Sequence, residues 1–342
     1  MPSPVQPSAI INLDWPSFIE RSLSGRGITR EEARAILNLP DEDVPEALRA
    51  AFEVRKAHFG KQVKVCVLQN ARSGLCPEDC HYCSQSSLST ATIDKYPLMA
   101  VEQLVEGARR AVEAKAIRYC MVTSGRGPSD EDIEHLCEAT RRIKEQFPLE
   151  ICVCLGIMSV EQARRLKEAG VGWVNHNLNT SQRYYPEICS THTYQDRVET
   201  VRNVRQAGLL TCSGGIVGMG ETDEDVLDLA FAVRALAIDS IPVNFLHPIQ
   251  GTPMEAFRFL TPLKCLKVLC LFRFLNPRSE IRAAGGRELN LRSLQALALY
   301  PANSIFVEGY LTTAGQGAVD AQRMIEDMGF EVERTAVQAA TV

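Results

Sequence analysis

The chain has 342 residues, 45% of them hydrophobic and 23% charged, with a net charge of −5. That is the composition of a soluble globular protein long enough for one large domain or two ordinary ones, and its acidic balance gives no reason to expect nucleic acid or an anionic membrane as partner. No apolar run approaches the roughly eighteen residues that span a bilayer, and the twelve cysteines occur in a chain whose start lacks the basic-then-apolar pattern of a secretory signal, so reduced cytoplasmic thiols are expected rather than a disulfide framework.

In chain order, residues 1–12 carry three prolines and read as a tail. Helices follow: "TREEARAIL" opens with a capping box, Thr29 with Glu32, and "DEDVPEALRAAFEVRKAHF" continues at helical spacing. From Lys64 the rhythm changes. Eight short β-rich runs alternate with amphipathic helical ones: "VKVCVLQ" (63–69), "IRYCMVTS" (117–124), "EICVCLG" (150–156), "GWVNHNLN" (172–179), "LLTCSGGIVG" (209–218), "SIPVNFLH" (240–247), "EIRAAGG" (280–286) and "SIFVEGYLTT" (304–313). Helices are expected at 99–116, 159–170 and 223–237, among others. Eight βα units are the count of a TIM-type (β/α)8 barrel, with an open doubly wound sheet as the competing arrangement. The expected organisation is an N-terminal tail and helices over 1–60, the barrel over 61–330 and a C-terminal tail over 331–342.

Chemistry in such a barrel belongs to the loops at the C-terminal ends of the strands. "GLCPEDCHYCSQ" follows the first run directly and places Cys76, Cys80 and Cys83 within eight residues. Thiolates select zinc, copper(I) or iron–sulfur clusters. A structural zinc site closes with four ligands, and no convincing fourth ligand lies near 76–83. Three thiols leave a metal position open, as a catalytic site requires. Pro77 tightens the wrap, and Glu78 and Asp79 are expected to face solvent.

Deeper in the pattern, Cys120, Cys152 and Cys212 sit inside the second, third and fifth runs, and Arg282 inside the seventh. Residues two apart on a strand share a face, so Cys154 joins Cys152. Spacing alone leaves two readings: core thiols with an arginine reaching a rim carboxylate, or a soft-ligand pocket whose arginine meets something anionic. Cys66, Cys137, Cys189, Cys265 and Cys270 have no ligand spacing and read as packing or surface residues.

The C-x3-C-x2-C motif with Tyr82 before its last cysteine resembles the signature of radical S-adenosylmethionine enzymes. The run from "ARSGLCPEDCHYCSQ" through "RYCMVTSGRGP", "VNHNLNTS", "TYQDRVETV", "CSGGIVGMGET" and "AGGRE" to "ANSIF" is similar to the biotin synthase family over about residues 60–330. The resemblance implies that Cys76, Cys80 and Cys83 hold a [4Fe–4S] cluster that cleaves S-adenosylmethionine. It also implies that Cys120, Cys152, Cys212 and Arg282 hold a [2Fe–2S] cluster that donates sulfur. The flanking residues favour Cys152 over Cys154 as the third-strand ligand. Matching positions put Tyr82, Asn177, Asn179 and Arg197 on S-adenosylmethionine, with Arg197 on its carboxylate, and Asn177, Asn244, Thr312 and Thr313 on dethiobiotin. Asn179 departs from the family's aspartate; it keeps a carbonyl acceptor and loses the charge. The implied reaction converts dethiobiotin to biotin: a deoxyadenosyl radical removes hydrogen from an unactivated carbon, which then captures sulfur. Hydrogen abstraction of that kind lies beyond side-chain acids and bases and needs a cofactor. An electron donor such as flavodoxin or ferredoxin, a homodimer and a cytoplasmic location follow from the same resemblance. A sister radical enzyme without the deep cluster, and a non-catalytic iron–sulfur or zinc protein, are the competing readings.

Overall fold

The computed structural model describes residues 13–334, and the expected tail at residues 1–12 lies outside them. Three helices lead: α1 (Trp15–Leu23), α2 (Arg30–Leu37) and α3 (Val44–Phe59). α2 starts where expected, with Thr29 Oγ1 accepting from the Glu32 amide at 3.2 Å and Glu32 Oε2 accepting from the Thr29 amide at 2.7 Å. That pair of bonds satisfies two otherwise orphaned N–H groups.

The staves are β1 (Gln62–Arg72), β2 (Arg118–Thr123), β3 (Glu150–Cys154), β4 (Trp173–Asn175), β5 (Leu210–Cys212) with its continuation β6 (Gly215–Val217), β7 (Ser240–Phe245), β8 (Glu280–Ala283) and β9 (Ser304–Val307). Between and after them run α4 (Val101–Glu113), α5 (Asp130–Gln146), α6 (Val160–Glu168), α7 (Tyr194–Gln206), α8 (Asp223–Ala235), α9 (Pro262–Leu275), α10 (Arg287–Leu291) and α11 (Ala318–Asp327). Every neighbouring pair is parallel, and β1 pairs with β9 as well as β2, at Lys64↔Ser304 through Val67↔Val307. That second pairing closes the ring, so the fold is the TIM-type (β/α)8 barrel and not an open sheet. The fifth run, expected as one strand, is broken at Ser213–Gly214. A Cβ on Gly214 would stand 2.0 Å from the Pro242 carbonyl oxygen. Only glycine lets the two staves approach there.

Alternation along the staves separates two environments. Val65, Val67, Tyr119, Met121, Ile151 and Val153 face the helices and join the main apolar core. Cys66, Cys120, Cys152 and Phe306 face inward and pack on one another. At the N-terminal end of the barrel Arg118, fully buried, makes 3.0 Å bonds to both carboxylate oxygens of Glu280 and a 2.7 Å ion pair to Glu150, over the Trp173 ring. Arg55 of α3, also fully buried, donates to Leu299 O and Gln62 O at 2.7 and 2.6 Å and so ties the N-terminal helices to the barrel. Beyond the expected barrel end, Glu331–Val332 form β10, parallel to Gln62–Val63 at the start of β1. Among the described residues no helix is long and apolar enough to cross a membrane.

Candidate active site

The loop after β1 begins with two consecutive left-handed residues, Gly74 (φ +71°) and Leu75 (φ +54°). A Cβ on Gly74 would lie 2.6 Å from Lys95 Cγ, and Leu75 holds a conformation that costs a non-glycine residue about 1–2 kcal/mol. The turn is over-determined by its neighbours: Gln85 Oε1 accepts from the Gly74 amide at 2.9 Å, and Ser124 donates to Gly74 O at 2.6 Å. It delivers Cys76, Cys80 and Cys83 to a cavity of ≈ 270 Å³ at the C-terminal mouth of the barrel. Backbone N–H groups of Glu78 and Gly125 favour the thiolate of Cys76, and those of Gln85 and Ser86 that of Cys83. Backbone N–H groups directed at sulfur are one of the levers proteins use on iron–sulfur clusters. Burial outweighs them in the thiol form, raising Cys76 and pushing Cys83 up to about 11. Metal binding here must therefore release protons.

Glu78 and Asp79 do not face solvent as expected. Asp79 accepts from the amides of Ser190 and Thr191 at 2.9 and 3.2 Å. Glu78 is 6% exposed and receives bonds from Thr191 Oγ1 (2.6 Å) and His192 Nδ1 (2.5 Å). Burial alone would raise its carboxyl, but these donors hold it below the usual range. The two carboxylates thus fasten the triad loop to the segment before α7. This segment brings in Cys189, a residue read as mere packing from sequence: its Sγ lies 3.8 Å from Cys80 Sγ. Cys80, Cys189 and His192 put three donor atoms within 4.8 Å of one another. His192 is nevertheless committed on both sides. Arg197 Nη2 lies 2.7 Å from Nε2, and since a guanidinium can only donate, Nε2 accepts and Nδ1 carries the proton toward Glu78. Cys189 lies behind Cys80, outside the cavity wall. Cys76, Cys80 and Cys83 thus line the cavity without Cys189 among them, and this set of three thiols would fit a cluster that leaves one metal position open.

Arg197, near the start of α7, is buried, against the ordinary expectation for a helix arginine. It donates to Tyr185 Oη, to Asn177 O at 2.9 Å and to His192, which leaves two of its five N–H groups. Asn177 Oδ1 accepts from the Gly214 amide at 3.0 Å. Asn179 has φ +71°, a conformation that asparagine tolerates better than most side chains, and donates from Nδ2 to Tyr82 Oη at 2.7 Å. Asn244 bridges staves, donating to Gly215 O and accepting from the Gly285 amide, each at 2.9 Å. Thr312 Oγ1 shares a 2.7 Å hydrogen bond with Ser84 Oγ, and Thr313 donates to Tyr310 O at 2.8 Å. Tyr82, Asn177, Asn179, Arg197, Asn244, Thr312 and Thr313 all line the one cavity with the triad. His176 lines it too, with a buried Nε2 that has no partner and an imidazole that burial keeps neutral. It was missed because a lone histidine in "NHNLN" carries no spacing signal.

On the barrel's inner face Cys120 stands directly across from Cys152 in the β2–β3 register, and Cys154 across from Val122, one layer nearer the mouth. Cys212 Sγ is 3.2 Å from Asn175 Nδ2 and 3.9 Å from Arg282 Nη1. Arg282 is 1% exposed. It donates through Nε to Ser304 Oγ at 3.0 Å, pairs through Nη2 with Glu280, and lies over the Phe306 ring. The anion that a buried arginine demands is Glu280, two residues earlier on the same face. The "EIR" spacing could have revealed it. Three buried thiols and one buried guanidinium on the same inner face suit a sulfur-bridged iron centre.

Two family models match the chain: the radical SAM superfamily over residues 72–233, and the biotin and thiamin synthesis associated domain over 242–331. Barrel, open thiol triad and these matches define a radical S-adenosylmethionine enzyme. Biotin synthase from Bacillus subtilis is 53% identical over 328 residues, covering 96% of this chain and 98% of that one. Biotin synthase from Geobacillus kaustophilus is 54% identical over 330 residues, covering 96% and 99%. The chain belongs to the biotin synthase family and is a sulfurtransferase of the radical SAM type. Methylornithine synthase shares the fold at a TM-score of 0.82 and 22% identity, covering 95% of this chain and 100% of that one. An FeFe-hydrogenase maturase from Carboxydothermus hydrogenoformans does so at 0.78 and 17%, covering 93% and 78%.

Proposed function

We propose that the enzyme converts dethiobiotin to biotin, with a [4Fe–4S] cluster held by Cys76, Cys80 and Cys83 and a [2Fe–2S] cluster held by Cys120, Cys152, Cys212 and Arg282. When bound, the first cluster supplies the electron that cleaves S-adenosylmethionine and the second supplies the sulfur. The observation that carries this reading is the pairing of two thiol sets inside one barrel, one at the mouth and one deeper on the inner face, with a single cavity reaching from the triad to Cys120, Cys152 and Arg282. A radical enzyme without sulfur transfer has no use for the deeper set.

The chain's own residues divide the remaining work. The two N–H groups left on Arg197 offer a bidentate seat for the carboxylate of S-adenosylmethionine, and the Glu78–His192–Arg197 chain fixes the orientation of that guanidinium. Tyr82 and Asn179 form one polar wall for the nucleoside; Asn179 Oδ1 is left to accept from a ribose hydroxyl. Asn177, Asn244, Thr312 and Thr313 border the space between mouth and floor, where dethiobiotin would lie between the two sulfur sets. The surrounding staves exclude water, so that a reactive carbon meets only its intended partner. Residues 61–330 carry this machinery. A one-electron donor of the flavodoxin or ferredoxin type, a homodimer and a cytoplasmic setting complete the reading.

The test is an anaerobic iron and sulfide count on the reconstituted chain, with a visible spectrum and an assay for biotin. Content matching both clusters and biotin formed from dethiobiotin are expected. Cys80→Ala should abolish 5′-deoxyadenosine production; undiminished cleavage in that variant would overturn the assignment of the triad.

A further inference from the structure

Besides Cys154 near the mouth, the inner face carries one more thiol that the assignment above does not use. Cys66 of β1 is fully buried and belongs not to the aliphatic core but to the inward group with Cys120 and Cys152. In the β1–β2 register it stands opposite Arg118, two residues below the level of Cys120. Its Sγ is 3.7 Å from Ser304 Oγ, the same hydroxyl that accepts from Arg282 Nε at 3.0 Å. Cys66 and Arg282 are therefore neighbours on one hydrogen-bonding atom, on staves that flank β9. [2Fe–2S] clusters commonly take four cysteines, and β1, β2, β3 and β5 each present a thiol to the same interior, β3 a second one, Cys154, a layer nearer the mouth.

Resting on the two-cluster reading, we propose that Cys66 is a fourth thiolate donor to the second cluster, able to take the iron position assigned to Arg282. In the exchange a sulfur–iron bond forms and a nitrogen–iron bond breaks. The thiol proton passes to the released neutral guanidine, with Ser304 touching both groups, and the resulting guanidinium takes up the ion pair with Glu280 that the structure shows. No electrons change hands. A packing role explains the burial of Cys66 but not its place beside two arginines and a serine, where an aliphatic side chain would pack as well.

The experiment reconstitutes four chains anaerobically: the native one, Cys66→Ser, Arg282→Met, and the double variant. Iron and sulfide content, visible absorption and electron paramagnetic resonance after one-electron reduction are read, with 5′-deoxyadenosine formation as the check that the first cluster and fold survive. Cys66→Ser alone should load at the native level, because Arg282 is present. Arg282→Met should also load its second cluster, with absorption shifted toward all-sulfur ligation. The double variant should lose that cluster and keep the first. Equal loading and equal spectra in Arg282→Met and the double variant would overturn the proposal. Where the double variant does not fold, Arg282→Met decides alone: coupling of its reduced cluster to isotopically labelled water oxygen would show that solvent, not Cys66, fills the position. A native chain holding only the first cluster would instead sink the two-cluster reading.

Discussion

Glu280→Gln should destabilise the cluster-free chain strongly while changing almost no volume. The carboxylate is 5% exposed, receives two 3.0 Å bonds from Arg118 and one of 3.1 Å from Ser240, and pairs with Arg282. Burial would raise its pKa, but Arg118, Arg282 and Lys64 hold it far below the usual carboxylate range. The amide keeps one acceptor and turns its NH2 toward donors. Arg118 retains Glu150 at 2.7 Å, whereas Arg282 loses its only ion pair among the described residues. Removing one partner of a buried pair costs about 3–5 kcal/mol, because the charge left behind stays buried. At roughly 2 °C per kcal/mol for a chain of this size, the midpoint should fall by about 6–10 °C. Urea and thermal unfolding followed by circular dichroism measure it. Adding Arg282→Met should recover part of the loss, since the uncompensated charge is then gone. A loss below about 1 kcal/mol, or no recovery in the double variant, would refute the view of Glu280 as the counter-ion that lets an arginine live inside the barrel.

Arg197→Ala should weaken S-adenosylmethionine binding by roughly 1.5–3 kcal/mol, the scale of a charged hydrogen bond, and Asn179→Asp should leave it intact; calorimetry on the reconstituted enzyme reads both, and undiminished affinity in the Arg197 variant counts against its role. Cys152→Ser should remove the visible absorption of the second cluster while 5′-deoxyadenosine production continues, and Cys154→Ser should leave both spectra unchanged; the reverse order would move the ligand one layer toward the mouth. Burial in α9 pushes the Cys265 thiol up from 9.0 to about 12. A raised folded pKa means the stability is full below the unfolded value and lost as pH climbs from about 9 toward 12, at up to ~1.4 kcal/mol per unit. Unfolding free energies of the native chain and Cys265→Ala should therefore converge over that window, and parallel curves would contradict it.

Much of this molecule is legible in its sequence because period-two alternation and helical spacing are local signals. The eight runs, the Thr29–Glu32 cap and the inward placement of Cys120 and Cys152 all follow from such patterns. The break in the fifth stave does not, because it depends on a carbonyl of the neighbouring strand, Pro242, pressing on Gly214. Cys189 and His192 stand more than a hundred positions from the triad loop, and only the docking of that loop on the segment before α7 makes them neighbours of Cys80. Glu78 and Asp79 misled for a related reason: carboxylates in a loop usually prefer water, and here they meet a row of backbone and side-chain donors. Glu280 was within reach, since it shares a strand face with Arg282; Cys66 was not, since its own strand carried no other candidate ligand.

The first stave also dictates when the catalytic loop can come into being. β1 is held on one side by β2, which leaves the ribosome soon after it, but on the other by β9 and at its base by β10, which emerge far later. Until then the strand that launches the triad has one open edge. Contacts so distant along the chain form slowly, because closing the intervening segment costs entropy before any pairing rewards it. The nascent chain must therefore carry its thiols unhoused until β9 has been made, and the cavity they line takes shape only once that strand has closed the barrel.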